Sequence, residues 1–255
     1  MKAAFDALGR RVAAYLLAPR RPGALMATVR PERLAEVLRP GDVLLVEGHT
    51  RVSGPIKYMT QSNWSHAALY VGPIRTDAAP GAEPRVLIEA DLLDGVRAVP
   101  LSVHAHLHTR ICRPVGLTPA EVERLVAAAT ACLGRRYDLR NLFDLGRYLL
   151  PLPHLPVHWR RRALALGSGD PSRAICSTLI AELFQSLRYP ILPILGTEDM
   201  DDTARDRHRR EVLHIRDHRL YAPRDFDISP YFEIVKPALQ EDFDYHRLAW
   251  GAGEP

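Results

Sequence analysis

Three residues far apart in this chain have the chemistry of a nucleophile, a base and an acid that orients the base. Cys176 stands where a turn-rich loop, Gly167-Ser168-Gly169-Asp170-Pro171-Ser172, gives way to a segment in which Leu179, Ile180, Leu183, Phe184 and Leu187 recur at helical spacing. Ser172 is a candidate N-cap, which puts Cys176 within about the first turn of that helix. Backbone N–H groups and the positive helix end favour a thiolate there and can hydrogen-bond an oxyanion. The competing reading is a small core cysteine at the start of an amphipathic helix. His66, in Trp64-Ser65-His66-Ala67-Ala68-Leu69-Tyr70-Val71-Gly72, lies where a strand turns apolar and offers a base. Glu89 sits inside the otherwise apolar strand Arg85-Val86-Leu87-Ile88-Glu89-Ala90. A buried carboxylate needs a partner, and one nitrogen of His66 would supply it while the other faces Cys176.

To bring these residues together the chain must set three strands side by side, around Val43, Ala68 and Leu87. A fourth strand is expected near Ile111, with late ones at Leu213-His214-Ile215 and Phe232-Glu233-Ile234-Val235. Helices are expected near the N-terminus, from Pro31 to Leu38, from Pro119 to Leu133 and at Cys176, with a Pro-rich helical insertion before the last. Strands followed by helices, without strict alternation, imply an α+β fold with a mainly antiparallel sheet. The arrangement expected is a Cys176 helix packed on the sheet face that presents His66.

Pro40-Gly41-Asp42-Val43-Leu44, the His66 strand, Leu87-Ile88-Glu89-Ala90 and Ile175-Cys176-Ser177-Thr178-Leu179-Ile180 together resemble the permuted NlpC/p60-like, papain-like cysteine hydrolases of the YiiX/YebB-like group. Lecithin:retinol acyltransferase-like proteins are more distantly similar. In the standard papain order the nucleophile comes before the histidine; here it comes after. The resemblance spans roughly Leu38 to Pro237 and also takes in Gly134-Arg135-Arg136-Tyr137-Asp138 and Tyr221-Ala222-Pro223-Arg224-Asp225-Phe226. It implies a circularly permuted papain-like fold, with Cys176 as nucleophile, His66 as base and Glu89 as orienting acid. It implies an N-terminal helical extension over 1–37, the hydrolase domain over 38–237 and a tail over 238–255. The activity implied is a thiol hydrolase, or an acyltransferase, acting through a thioester on a small-molecule, peptide-like or acyl-lipid substrate. The alternative is a catalytically silent ligand- or membrane-binding module on the same fold.

Composition narrows the classes. With 255 residues, 47% hydrophobic and 25% charged, the chain reads as one ordinary globular domain with extensions. A net charge of +4 and the absence of base-stacking or phosphate-binding motifs argue against nucleic acid as a partner. Cys112, Cys132 and Cys176 have no metal or redox spacing, so a reducing compartment, no cofactor and no metal are expected. Arg10 and Arg11 interrupt the N-terminal apolar residues, so no secretory leader is expected and the protein is read as cytoplasmic. Phe5, Leu8, Val12, Tyr15 and Leu16, ringed by Lys2, Arg10, Arg11, Arg20 and Arg21, leave open a peripheral membrane contact through a basic amphipathic helix. His104, His106 and His108 alternate like metal ligands but have no acid nearby in sequence, so a solvated loop or helix is expected. The charged run from Glu198 to Arg210 lacks calcium-loop spacing and reads as an exposed loop or helix face. Oligomeric state is not encoded in any of these features.

Overall fold

In the computed structural model the described residues are 29–74, 81–136 without 92, 175–199, 209–214 and 216–237, together with 11, 14, 15, 17–19 and 27. Their order is α1 (Pro31–Val37), β1 (Val43–Val46), α2 (Ser53–Thr60), β2 (His66–Tyr70), β3 (Arg85–Asp91) and β4 (Gly95–Pro100). Then follow α3 (Ser102–Ala105), β5 (Thr109–Pro114), α4 (Pro119–Ala131) and α5 (Ile175–Ser186). The order closes with β6 (Ile194–Asp199), β7 (Arg209–His214), α6 (Pro223–Asp227) and β8 (Phe232–Val235). Six strands form one sheet in the order β4-β3-β2-β1-β5-β8, and every pairing in it is antiparallel. The fold is α+β, with helices on both faces of the sheet.

All four residues of β1 are buried, because this central strand is covered on both sides. Val43, Leu45, Ala67, Leu69, Ile88 and Ala90 point to one face, against Leu125 of α4 and Leu179, Ile180, Leu183 and Phe184 of α5. Leu44, Val46, Ala68, Leu87 and Ile111 point to the other, under Leu34 of α1 and Leu101, Ala105 and Leu107 around α3. Phe184 and Phe226 both meet Phe232 of the edge strand β8, at ring-centroid distances of 5.2 and 5.6 Å. α4 starts at a complete capping box, Thr118 with Glu121, and has Pro in its first turn.

The turn into β1 is tied by an ion pair that is almost fully buried. Gly41 adopts φ +96°, which a side chain disfavours. Asp42 Oδ2 accepts from the Arg39 N–H at 2.8 Å, and Arg113 of β5 donates to both oxygens of Asp42 at 2.9 and 2.7 Å. A third Arg113 hydrogen bond reaches the Val37 carbonyl and so binds α1 to the sheet.

The charged run is not a loop or helix face where it is described: Glu198 pairs with Arg210 and Asp199 with Arg209 in the two-stranded β6–β7 ladder, since a long antiparallel hairpin uses charged ends as readily as polar loops do. Residues 200–208 lie outside the described residues, as do the Pro-rich insertion, the 167–172 loop with Ser172, and most of the N-terminal segment. No described helix is long and apolar enough to cross a membrane.

Removing the Asp42 carboxylate strands the Arg113 guanidinium in a site where Asp42 is 1% exposed. Asp42→Ala should therefore cost about 3–5 kcal/mol of unfolding free energy in urea titrations. A loss below about 1 kcal/mol would class the pair with exposed salt bridges instead.

Candidate active site

His66 is the first residue of β2, and its position is fixed by its neighbours in sequence. Trp64 donates its indole N–H to Asp227 Oδ2 at 3.0 Å, and Arg110 donates to Asp227 Oδ1 at 2.6 Å. Ser65 donates its N–H to the Val46 carbonyl at 3.2 Å, and its hydroxyl accepts from the Gly48 N–H at 3.0 Å. A Cβ on Gly48 would lie 2.6 Å from Ser53 Oγ and 2.8 Å from Ser65 Oγ, so a side chain there would displace both hydroxyls, including the one that accepts from the Gly48 N–H. The chain leading into His66 is thus held before the imidazole makes any contact of its own.

Glu89 is the centre of the polar network. It is 1% exposed, and each of its oxygens takes two hydrogen bonds. Arg97 Nε and Nη2 donate to Oε1 at 3.0 and 2.9 Å. His66 Nε2 and His104 Nε2 donate to Oε2 at 2.8 and 2.6 Å. The register explains the first pair: Glu89 and Arg97 are directly opposed across the β3–β4 hairpin and so share a face. At the turn of that hairpin Gly95 has φ +74°, and an added Cβ would collide with the Arg135 carbonyl. His104 reaches the same carboxylate because α3 is a single turn folded back over that face directly after β4.

Because a carboxylate only accepts, both histidines carry their proton on Nε2 toward Glu89. The nitrogen of His66 that can face a sulfur is therefore Nδ1. Burial opposes a positive charge on His66, but the Cys176 sulfur and the Glu89 carboxylate outweigh it and hold the imidazole pKa well above 6.5. Burial likewise opposes the negative charge on Glu89, and His66 and His104 reverse that, holding the carboxyl well below its usual range. For His104 burial prevails and lowers the pKa, so this ring is a neutral donor. The result is a site with a buried anion, an imidazolium, a guanidinium and a sulfur in electrostatic contact with the imidazolium.

Cys176 is the second residue of α5, 5% exposed, and Ser177 beside it donates its hydroxyl to the Tyr221 carbonyl at 2.6 Å. The expected packing of this helix on the His66 face is not what the structure has. Strand alternation puts His66 with Ala68, on the face covered by α1 and α3, whereas α5 packs on the opposite face with Ala67 and Leu69. Cys176 acts on His66 all the same, because His66 begins its strand and Cys176 begins its helix. The two meet at the end of the sheet, not across one face of it. A cavity of about 440 Å³ opens there, lined by Cys176, His66, Glu89, Arg97 and His104 among others.

The structure brings together Cys176, His66 and Glu89, all three residues singled out in the sequence. Two others were missed. Arg97 carries a legible signal, since a tight hairpin between Asp91 and Gly95 places it opposite Glu89. His104 was expected in a solvated segment with His106 and His108; instead it is buried to 9% exposure against Glu89, because folding supplies the acid that the local sequence lacks. The three histidines have parted company: His106 is exposed and His108 Nδ1 meets Glu47 Oε2 at 3.0 Å, so the alternating spacing makes no common face. His49, also on the cavity wall, has the one buried side-chain nitrogen or oxygen among the described residues with no hydrogen-bond partner, Nδ1.

His66, Glu89 and His104 have ligand atoms close enough together to be considered for a metal. Their 2.8 and 2.6 Å separations from Glu89 Oε2 are those of hydrogen bonds, and the Arg97 cation already occupies the other oxygen. The set is arranged as a proton-bearing network.

Comparison with known proteins bears on this geometry. The model of the family described as permuted papain-like amidase enzyme, YaeF/YiiX, C92 family, matches residues 37–147. This chain is similar to the permuted papain-like amidases. The matched part carries His66, Glu89, Arg97 and His104 and ends before Cys176. The likeness is to a permuted papain-like fold, and it supports a cysteine-hydrolase type of function. The crystal structure of metalloprotein yiiX from Escherichia coli O157:H7 is similar at 17% identity and a TM-score of 0.45, covering 78% of this chain and 96% of that one. That likeness is too slight to carry an inference. No curated protein matches the chain.

A carboxyl whose folded pKa is depressed contributes stability that is whole above its ordinary value of 4.5 and is lost as the pH falls below it. Urea unfolding from about pH 7 down to about pH 3 should show the native protein losing stability more steeply than Glu89→Gln, which has no carboxyl to protonate. Parallel slopes would mean that Glu89 is not the charged centre of the network.

Proposed function

We propose that this protein is a thiol hydrolase that cleaves an amide or ester through a Cys176–His66–Glu89 triad and a thioester acyl-enzyme. The observation that carries the reading is the pairing of His66 with the Cys176 sulfur on one side and the buried Glu89 carboxylate on the other. A histidine so placed holds a proton ready for a leaving group, and the sulfur beside it serves as nucleophile.

In the forward reaction the Cys176 sulfur attacks the acyl carbon and a C–S bond forms. The carbonyl oxygen takes up negative charge, which N–H groups at the start of α5 can stabilise. As the C–N or C–O bond breaks, His66 gives its proton to the departing amine or alcohol. Water then adds to the thioester, His66 takes the proton from that water, and the acid departs with the sulfur restored. An alcohol or amine in place of water would be acylated by the same steps. Glu89 holds the His66 tautomer and stabilises the imidazolium throughout, while Arg97 and His104 hold Glu89.

Hydrolysis of p-nitrophenyl acetate, with mass spectrometry of the trapped acyl-enzyme, tests this. By analogy with serine triads, Cys176→Ala should reduce turnover by about a million-fold and Glu89→Gln by about ten-thousand-fold. The acyl mass should appear on the peptide containing Cys176. Native turnover in folded Glu89→Gln would remove that residue from the site. A protein that neither turns over nor acquires an acyl group would be a silent binding module.

A further inference from the structure

We infer that His49 is a catalytic residue of this site, donating from Nε2 to the oxygen that becomes negative when the Cys176 sulfur attacks an acyl carbon. This rests on the thiol-hydrolase reading and adds to it a side-chain donor that the triad does not contain.

The imidazoles on the cavity wall divide by what they are bonded to. His66 and His104 are held by Glu89 at 2.8 and 2.6 Å, and His106 Nδ1 lies 3.4 Å from the Ser102 carbonyl. His49 forms no side-chain hydrogen bond with any described residue, and its Nδ1 is buried as well as unpartnered. Buried polar groups are paired in folded proteins as a rule, so an orphan on the wall of a nucleophile's cavity needs a reason.

His49 is placed by the backbone and not by its own ring. β1 ends at Val46, directly opposite His66, so the chain leaving β1 emerges at the sheet end where Cys176 meets His66. The Gly48 N–H then donates to Ser65 Oγ at 3.0 Å, which puts His49 one residue beyond a tie to the neighbour of His66. On its other side Thr50 pairs with Pro19 and shares a hydrogen bond with Ser53 at 2.8 Å. Arg51 donates its N–H to the Ala18 carbonyl at 3.1 Å. A loop held on both sides of an imidazole without a partner is preorganised for a bond made only when a ligand is present.

The chemistry of the ring decides what that bond is. A proton on Nδ1 would bury an unpaired donor, so the proton is carried by Nε2, the nitrogen left to meet the cavity. His49 therefore offers a donor, and the acceptor that an amide or ester brings to Cys176 is its carbonyl oxygen. As a sulfur electron pair forms the C–S bond, the carbonyl π pair moves onto that oxygen. The Nε2–H group hydrogen-bonds the resulting charge and keeps its proton. When the pair returns and the C–N or C–O bond breaks, the leaving atom takes its proton from His66, and His49 ends the step unchanged. The oxygen is thus met by a side-chain donor from one element and by N–H groups at the start of α5 from another.

Turnover of p-nitrophenyl acetate by the full chain, beside alkylation of Cys176 by iodoacetamide, tests the assignment. Alkylation displaces iodide at a saturated carbon and forms no oxyanion, so it reports on the sulfur, His66 and the fold without His49. His49→Leu should lower kcat by about a hundred- to a thousand-fold with KM little changed, while Cys176 alkylates at the native rate. His49→Gln, whose amide reaches the position of Nε2, should recover most of the lost turnover. His49→Asn, whose amide stands near the position of Nδ1, should not. His106→Leu alters the same wall and is the control, which should keep the native kcat. Native kcat in His49→Leu overturns the assignment and leaves the hydrolase standing. A fall in kcat matched by an equal fall in alkylation rate also overturns it, since His49 would then act on the sulfur or the fold. So does a His49→Gln variant no faster than His49→Asn. No Cys176-dependent cleavage by the native protein overturns both readings.

Discussion

The site depends on one buried anion. Glu89 is withdrawn from water in the middle of a strand, and an isolated carboxylate there would cost far more than a domain can spare. It is stable because four N–H groups from three side chains reach its two oxygens. In return it fixes all three of them: the Nε2 proton of His66, the neutral ring of His104 and the plane of Arg97. Breaking such an array by removing one member is costly, because the rest is left buried without its partner. The network therefore fixes the His66 ring and gives the local backbone a reason to hold its shape.

Its placement follows from the sheet. β2 and β3 are neighbours, β3 and β4 form a tight hairpin, and α3 folds back directly after β4, so three of the four groups around Glu89 come from contiguous chain between residues 89 and 104. His66 comes from the adjacent strand. Cys176 arrives from the far side of the sheet, on a helix anchored by its own apolar face and by Ser177. Meeting at the sheet end lets the sulfur and the imidazole come from opposite layers while each remains tied to a rigid element.

Much of this was legible in the sequence. Cys176 at a helix start, His66 at the edge of an apolar strand and Glu89 inside one each break a local pattern, and such breaks mark functional positions. The antiparallel α+β sheet with β1, β2 and β3 side by side was legible too, whereas β4, the strand that carries Arg97, was not among those expected. Two matters were hidden by the physics of burial. Both faces of β2 are covered, so its apolar run says nothing about which layer His66 joins. His104 looked solvated because its acid lies across a hairpin and not beside it in the chain. The end of the charged run was misread for a similar reason, since strand pairing of charged residues leaves no local apolar alternation.

The most direct measurement is the titration of the His66 ring nitrogens by ¹⁵N NMR in the native protein and in Glu89→Gln. Held between the Cys176 sulfur and the Glu89 carboxylate, native His66 should stay protonated well above 6.5 and should lose its proton at lower pH once the carboxylate is gone. An ordinary titration near 6.5 in the native protein, unmoved by Glu89→Gln, would contradict the charged pair on which the site is built.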